Sequence, residues 1–163
     1  MNQGELFTSF LIDLQRIFRT KIVPKELSYS QILAILVIPD DGIEMSELAW
    51  VMGLENSTVT RLIARLETNG FVKREKSTVD KRSIIVFCYM NKVFDKRKKS
   101  RVDKRSISVY LKNKGLTIQK NIEKKSDAIG QEIFLNDTQS QKETILENLS
   151  LFQWALKKTF LKR

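Results

Sequence analysis

Residues 45–72 carry the pattern that most constrains the fold: two short helical segments, a tight turn between them, and a strand pattern after the second. "MSELAWVMG" predicts a helix that is closed by Gly53, because glycine readily adopts the left-handed conformation common at helix ends. In the next segment, apolar residues recur at i, i+3, i+4 and i+7 from Val59 to Leu66, a spacing typical of an amphipathic helix. Two short helices joined in this way fit a helix-turn-helix.

The outward face of the second helix, residues 56–69, is small, hydroxyl-bearing and cationic, with no acidic residue before Glu67. Hydroxyl side chains let a phosphate approach the backbone, and Arg forms paired hydrogen bonds with the edge of guanine. The face therefore favours nucleic-acid binding, although an ordinary solvated face has a similar composition. The candidate DNA contacts on this helix are Ser57, Thr58, Thr60, Arg61 and Arg65.

The basic segment that follows occurs twice. Residues 71–87 and 94–110 share 12 of 17 positions at an offset of 23. Residues 71–105 hold 13 Lys and Arg against 4 Asp and Glu, and the formal net charge of the whole chain is +10. Nearly all the charge excess thus lies in the repeat, which predicts an anionic partner there. The candidate contacts in it are Arg74, Lys76, Lys81, Arg82, Lys104 and Arg105.

Apolar stripes at helical spacing also run along residues 4–20 and 114–161. A Ser followed three residues later by Gln at 28–31, and a Thr followed by Gln at 138–141, predict capping boxes at two helix starts. These stripes exceed what a small domain needs to cover itself. We therefore expect a homodimer through residues 4–20 and 114–161, with a bundle inside one chain as the alternative.

The predicted fold class is mainly α with a small β-wing: a winged helix-turn-helix with long N- and C-terminal dimerisation helices. The predicted division is a dimerisation helix at 1–27, a DNA-binding domain at 28–113 with an enlarged wing at 71–112, and dimerisation helices at 114–163.

The order of elements resembles the MarR family of bacterial winged helix-turn-helix regulators over nearly the whole chain. The most specific stretch is "SELAWVMGLENSTVTRLIARLETNGFVKR", followed by the wing tip "DKRS". The resemblance implies a homodimeric DNA-binding regulator, expected to be a repressor, with residues 56–69 in the major groove and the wing on the backbone and minor groove. It also leaves open a small aromatic effector between the dimer helices and the winged helix. Its candidate lining residues, for which packing in the core is the favoured interpretation, are Phe7, Phe10, Tyr29 and Trp50.

The start of the recognition helix departs from the family pattern. Glu55 and Asn56 stand where the family often has Ser or Thr followed by Pro. We therefore expect Asn56 or Ser57 to cap this helix, with Glu55 close to where a phosphate would lie.

The wing is the second departure. Its start, residues 70–72, lies in copy one and its exit, residues 109–115, lies in copy two, with about 23 additional residues between them. A tandem duplication explains both facts. Because residues 83–90 are apolar on both faces, we favour two hairpins with this strand inside over one long hairpin. The regular alternation of copy two favours Arg105 over Arg82 at the usual wing tip.

The chain has no His and one cysteine, Cys88, which excludes a His-based catalytic triad and an internal disulfide. No enzyme, cofactor or metal is predicted. Two alternatives stay open: a basic module for RNA or single-stranded nucleic acid, and a thiol redox sensor through Cys88, which an apolar strand disfavours. The polar start "MNQGELFTSF" and the lack of a membrane-length apolar run predict a cytoplasmic protein with no membrane partner.

Overall fold

The helices and strands are given by a computed structural model, which describes residues 2–76 and 107–161. The elements are α1 (Gln3–Ile17), a π-helical turn (Phe18–Ile22), α2 (Tyr29–Val37), β1 (Ile43–Glu44), α3 (Met45–Met52), α4 (Asn56–Thr68), β2 (Val72–Lys76), β3 (Ile107–Leu111), α5 (Asn113–Ile133) and α6 (Gln139–Phe160). Contacts divide the chain into two units, 1–123 and 124–163, and α5 crosses the boundary.

The core of the first unit forms where α2, α3, α4 and the sheet bring their apolar faces together. Helix α2 starts as predicted, because the Ser28 hydroxyl accepts from the Gln31 backbone and the Gln31 side chain accepts from the Ser28 backbone. Removing the apolar side chains of these elements from water favours their packing against one another. The largest fully buried apolar side chains are Ile32, Ile35, Ile38, Leu48, Val59, Ile63, Leu66, Val72 and Val109.

The described sheet has three antiparallel strands in the order β1-β3-β2. Strand β2 belongs to copy one of the repeat and β3 to copy two, and Lys76 is paired with Ile107 at the end of the ladder. The entry strand of the first copy therefore pairs with the exit strand of the second. The predicted interior strand at 83–90 and the choice of wing tip lie outside the described residues.

Helix α1 confirms the predicted amphipathic helix at the N-terminal end, but none of its residues is buried in this chain. Its apolar side chains are 37–59% exposed. Phe7 and Phe10 belong to this set, so the interpretation of these two as core residues is wrong for the single chain.

Tyr29 and Trp50 differ in their surroundings. Tyr29 is half-buried, with its ring centroid 5.5 Å from that of Phe18 in an edge-to-face arrangement and 4.6 Å from the Arg19 guanidinium carbon. Trp50 is 39% exposed. Its assignment to the core is therefore also wrong.

The second unit contains the end of α5 and all of α6. The capping box at 138–141 is confirmed by reciprocal bonds between Thr138 and Gln141. Helix α6 has no buried residue, and most of its apolar side chains are exposed. The most exposed of its large apolar residues are Leu146, Leu151, Trp154 and Phe160.

The fold class is confirmed: the described chain is mainly helical with a small antiparallel sheet. Within residues 2–76 and 107–161, no helix combines the length and the hydropathy needed to span a bilayer.

Candidate nucleic-acid interface

Helices α3 and α4 form the predicted helix-turn-helix. Gly53 closes α3 with φ +63, and the Leu54 amide donates to the Ala49 carbonyl at 2.9 Å, which satisfies a carbonyl at the helix end. Val59 and Ile63 are fully buried and hold the inner face of α4 against the core. The opposite face of α4 is therefore held toward solvent.

The five residues predicted to contact DNA from α4 are all exposed: Ser57, Thr58, Thr60, Arg61 and Arg65. The Thr60 hydroxyl donates to the Asn56 carbonyl at 2.7 Å. Its proton is thus used within the helix, and the side chain offers oxygen lone pairs and a methyl group outward. Such a group suits a base amino group or the methyl of thymine.

The start of α4 differs from the expectation. The N-cap residue is Glu55, its side chain makes no capping bond, and neither Asn56 nor Ser57 serves as the cap. The Glu55 carbonyl accepts from the amides of Thr58 and Val59. A carboxylate is itself favourable at the positive end of a helix, which explains how Glu55 is tolerated without a hydrogen bond.

Arg74, predicted as a DNA contact, is bound by Glu67 of α4. The Arg74 backbone amide donates to Glu67 Oε1 at 3.0 Å, Nε donates to Oε2 at 2.8 Å, and Nη2 lies 2.6 Å from Oε2. The hydrogen bond from the Arg74 side chain holds the pKa of Glu67 below its ordinary value. Strand β2 is thereby joined to the last turn of α4.

The other charged residues of β2 are all exposed. Lys73 forms an ion pair with Glu75 at 2.7 Å and lies over the Tyr110 ring, 5.4 Å from its centroid. Lys76 is exposed at the end of the strand. The predicted contacts Lys81, Arg82, Lys104 and Arg105, together with Cys88, lie outside the described residues.

The start of α5 docks on the turn between α4 and β2. The Phe71 carbonyl accepts from the Lys112 amide at 2.9 Å, and Lys114 Nζ donates to the Asn69 carbonyl at 3.1 Å. The same ammonium lies over the Phe71 ring, 4.2 Å from its centroid. A Cβ on Gly115 would overlap the Phe71 oxygen, so only glycine allows this approach.

Sequence reasoning missed the Glu67–Arg74 pair and the docking of Lys114. Both contacts join residues before and after the turn at Gly70. For the Glu67–Arg74 pair, the signal in the sequence was a carboxylate in the last turn of α4 followed by an arginine in β2. Among the described residues, no cluster of three or more His, Cys, Asp or Glu could hold a metal ion.

A helix-turn-helix whose second helix leads directly into an antiparallel pair defines the winged helix-turn-helix class. Residues 32–84 match the model of the MarR family. The chain is therefore similar to the MarR family over these residues, which make up about a third of its length.

Two curated transcriptional regulators are similar in sequence to this chain over part of their length. The chain is 33% identical over 73 residues to the HTH-type transcriptional regulator TtmR of Methylorubrum extorquens, covering 44% of this chain and 37% of that protein. It is 28% identical over 75 residues to the HTH-type transcriptional regulator MgrA of Staphylococcus aureus, covering 45% of this chain and 51% of that one. The matched segment thus spans about half or less of these relatives. Both are transcriptional regulators, in agreement with the prediction that the chain is not an enzyme.

Solved structures share the fold. FabT of Streptococcus pneumoniae, crystallised in complex with DNA, has a TM-score of 0.67 at 18% identity, over 98% of this chain and 96% of that one. A mutant form of MarR from E. coli also has a TM-score of 0.67, at 19% identity, over 94% and 97% of the two chains.

Proposed function

We propose that this chain is a transcriptional regulator that binds double-stranded DNA, with α4 in the major groove and the basic wing along the backbone and minor groove. The observation that carries the proposal is the exposed face of α4, which presents hydroxyl and guanidinium groups while its inner face is fully buried. The DNA complex of the structural relative FabT and the regulatory role of the sequence relative TtmR support the same function.

The proposed contacts have different roles. Arg61 and Arg65 reach base edges or phosphates, and Ser57, Thr58 and Thr60 allow close approach and accept hydrogen bonds. Lys76 begins the basic wing, and the remaining wing contacts are the predicted Lys81, Arg82, Lys104 and Arg105. Phosphate contacts from the wing supply affinity, whereas contacts from α4 supply sequence selection.

Selection of bound duplexes from random-sequence DNA tests this function directly. We expect enrichment of a pseudo-palindromic site, and single-stranded DNA or RNA should compete poorly for it. Arg61→Ala should then weaken binding to that site by about 1–3 kcal/mol if Arg61 reads a base. Lys25→Ala, an exposed change outside α4, the wing and the segments proposed for dimerisation, is the control and should leave binding unchanged. Failure of every duplex to bind, or preference for single strands, would exclude the proposal.

The proposed active form is a homodimer through residues 4–20 and 114–161, with the domain boundaries given by the sequence. It is supported by the apolar side chains that α1 and α6 leave exposed, because patches of this kind on a soluble chain mark interaction surfaces. Sedimentation should give twice the chain mass of 19.0 kDa. Phe10→Ser should shift the protein toward monomer, whereas the neighbouring Ser9→Ala should not. A monomer in the unmodified protein would contradict this assembly.

We also propose that the protein represses transcription and that a small aromatic effector controls its binding to DNA. A promoter that carries the selected site should be transcribed less when the protein is present. An aromatic effector would weaken binding if it favoured a spacing of the two α4 helices that does not match DNA. Transcription from that promoter, measured with and without phenolic compounds, tests both expectations. Alkylation of Cys88 that leaves DNA binding unchanged would exclude thiol control.

A further inference from the structure

Glu67 and Arg74 form a connection between two elements that, under the proposed function, contact different parts of DNA. Glu67 lies in the last turn of α4, and Arg74 lies in β2 opposite Val109 of β3. Both carboxylate oxygens of Glu67 are occupied, one by the Arg74 amide and the other by the guanidinium. Because one residue donates to both oxygens from its backbone and its side chain, the arrangement fixes direction as well as distance.

The connection spans the turn at Gly70, where Lys114 also donates to the Asn69 carbonyl. Gly70 adopts φ +77, and on the buried side the Phe71 amide donates to the Leu66 carbonyl at 2.9 Å. Phe71 and Val72 are buried and hold the base of β2. The Glu67–Arg74 pair holds the exposed edge of the same strand, so the two together set the angle between α4 and β2.

The same contact makes Arg74 a poor phosphate ligand. Its Nε and Nη2 atoms face the carboxylate, and the opposite charge of Glu67 cancels most of its attraction for a polyanion. A residue held in this way adds little to the electrostatic part of DNA binding.

We propose that Glu67 and Arg74 are positioning residues, which fix the wing relative to the recognition helix so that both engage one DNA site, and that Arg74 does not itself contact DNA. The inference rests on the proposed function. Two elements that read one ligand must be held within a few tenths of an ångström and about 10–20° of the productive geometry. The pair should therefore affect the choice of site more than the general attraction to DNA.

The test compares binding to the selected duplex with binding to a random-sequence duplex, each measured over a range of salt concentrations. The variants are Glu67→Gln, Arg74→Lys, Arg74→Met and the double variant of Glu67→Gln with Arg74→Met. Glu75→Gln is the matched control, because it removes the same charge from an ion pair that lies within one strand. Thermal unfolding of each variant identifies any that fail to fold.

We expect each single variant to lower the ratio of the two affinities by about tenfold, and the double variant to lower it no further, since both changes break one interaction. Arg74→Lys should behave as Arg74→Met does, because Lys keeps the charge but not the paired geometry. The slope of log affinity against log salt should stay constant in Arg74→Met and in the double variant, because the held Arg74 makes no phosphate contact that could be lost. Glu75→Gln should leave the ratio unchanged.

A direct phosphate contact predicts different results. Arg74→Met would then reduce the salt slope by about 0.9 with the ratio unchanged, and Arg74→Lys would retain binding. Either that pattern or an unchanged ratio in all folded variants would overturn the inference. If the unmodified chain binds neither duplex, the proposed function fails instead, and the two failures are thus distinguishable.

Discussion

Gly115→Ala should destabilise the protein, although the same change in the interior of an exposed helix normally stabilises it. Gly115 lies in the first turn of α5 and is buried against the turn that follows α4. An added Cβ would overlap the Phe71 oxygen and lie 3.0 Å from Leu111 Cδ2. The oxygen is a backbone atom that already accepts the Lys112 amide at 2.9 Å, so it cannot simply move aside.

The magnitude follows from opposing contributions. Alanine has a higher helix propensity than glycine by about 1 kcal/mol. Overpacking costs about 1–3 kcal/mol, and a lost or strained hydrogen bond at Phe71 costs about 1 kcal/mol more. The expected net effect is a loss of about 1–3 kcal/mol. The start of α5 would also move relative to α4, so DNA affinity should fall as well.

Gly130→Ala is the matched control, because Gly130 lies in the same helix and a Cβ there meets nothing within 4 Å. It should stabilise the protein by up to about 1 kcal/mol. Urea unfolding at one fixed protein concentration measures both variants, since the stability of a dimer depends on concentration. If Gly115→Ala stabilises the chain as Gly130→Ala does, the close approach of α5 to Phe71 is refuted.

Four further predictions concern other parts of the chain. Gln119→Met should cost about 1–3 kcal/mol in urea unfolding, because the buried Gln119 amide donates to the Ile35 and Ile38 carbonyls at 3.2 and 3.3 Å; the exposed Gln131→Met should cost under about 0.5 kcal/mol. Ser108→Ala should be neutral or stabilising, since its buried hydroxyl has no partner within the described chain; a loss above about 1 kcal/mol would contradict this. Glu67 has a folded-state pKa below its ordinary value of 4.5, so its stabilisation is present above that value and lost as pH falls through the folded pKa. The difference in unfolding midpoint between the unmodified chain and Glu67→Gln should therefore shrink as pH falls below about 4.5 and be unchanged at higher pH. Deletion of residues 72–94, which leaves a single copy of the repeat, should reduce the salt slope of DNA binding by about 2–3 if three phosphate contacts are lost; an unchanged slope would show that the duplication adds no phosphate contacts.

The parts of the fold that depend on neighbouring residues were predictable from the sequence. The capping boxes that begin α2 and α6 each use two side chains three residues apart, and both form as expected. Gly53 and Gly70 both adopt positive φ where the helical patterns end. Such features need no knowledge of tertiary structure, because the atoms that satisfy them lie within one turn of the chain.

The features that depend on distant contacts or on a partner were not predictable in the same way. An apolar stripe shows that a face is to be covered, but not by what. Phe7, Phe10 and Trp50 were therefore assigned to a core from which the single chain leaves them exposed. The predicted cap of α4 was also wrong. Capping preferences favour Asn and Ser over glutamate, yet a carboxylate at a helix N-terminus is tolerated through its charge.

Charge counted along a sequence is also an upper limit on charge available to a ligand. Two of the three cations in β2, Lys73 and Arg74, form ion pairs with carboxylates. The surplus that the repeat offers to DNA must then come mainly from residues 77–105, where 10 Lys and Arg stand against 3 Asp. Glu67 in the last turn of α4 holds the side chain of Arg74, which supports the proposed positioning role of Arg74 over a direct contact with DNA. The turn at Gly70 brings the two residues together. It follows that the salt dependence of binding should respond to changes within 77–105, and the choice of DNA site to changes at Glu67 and Arg74.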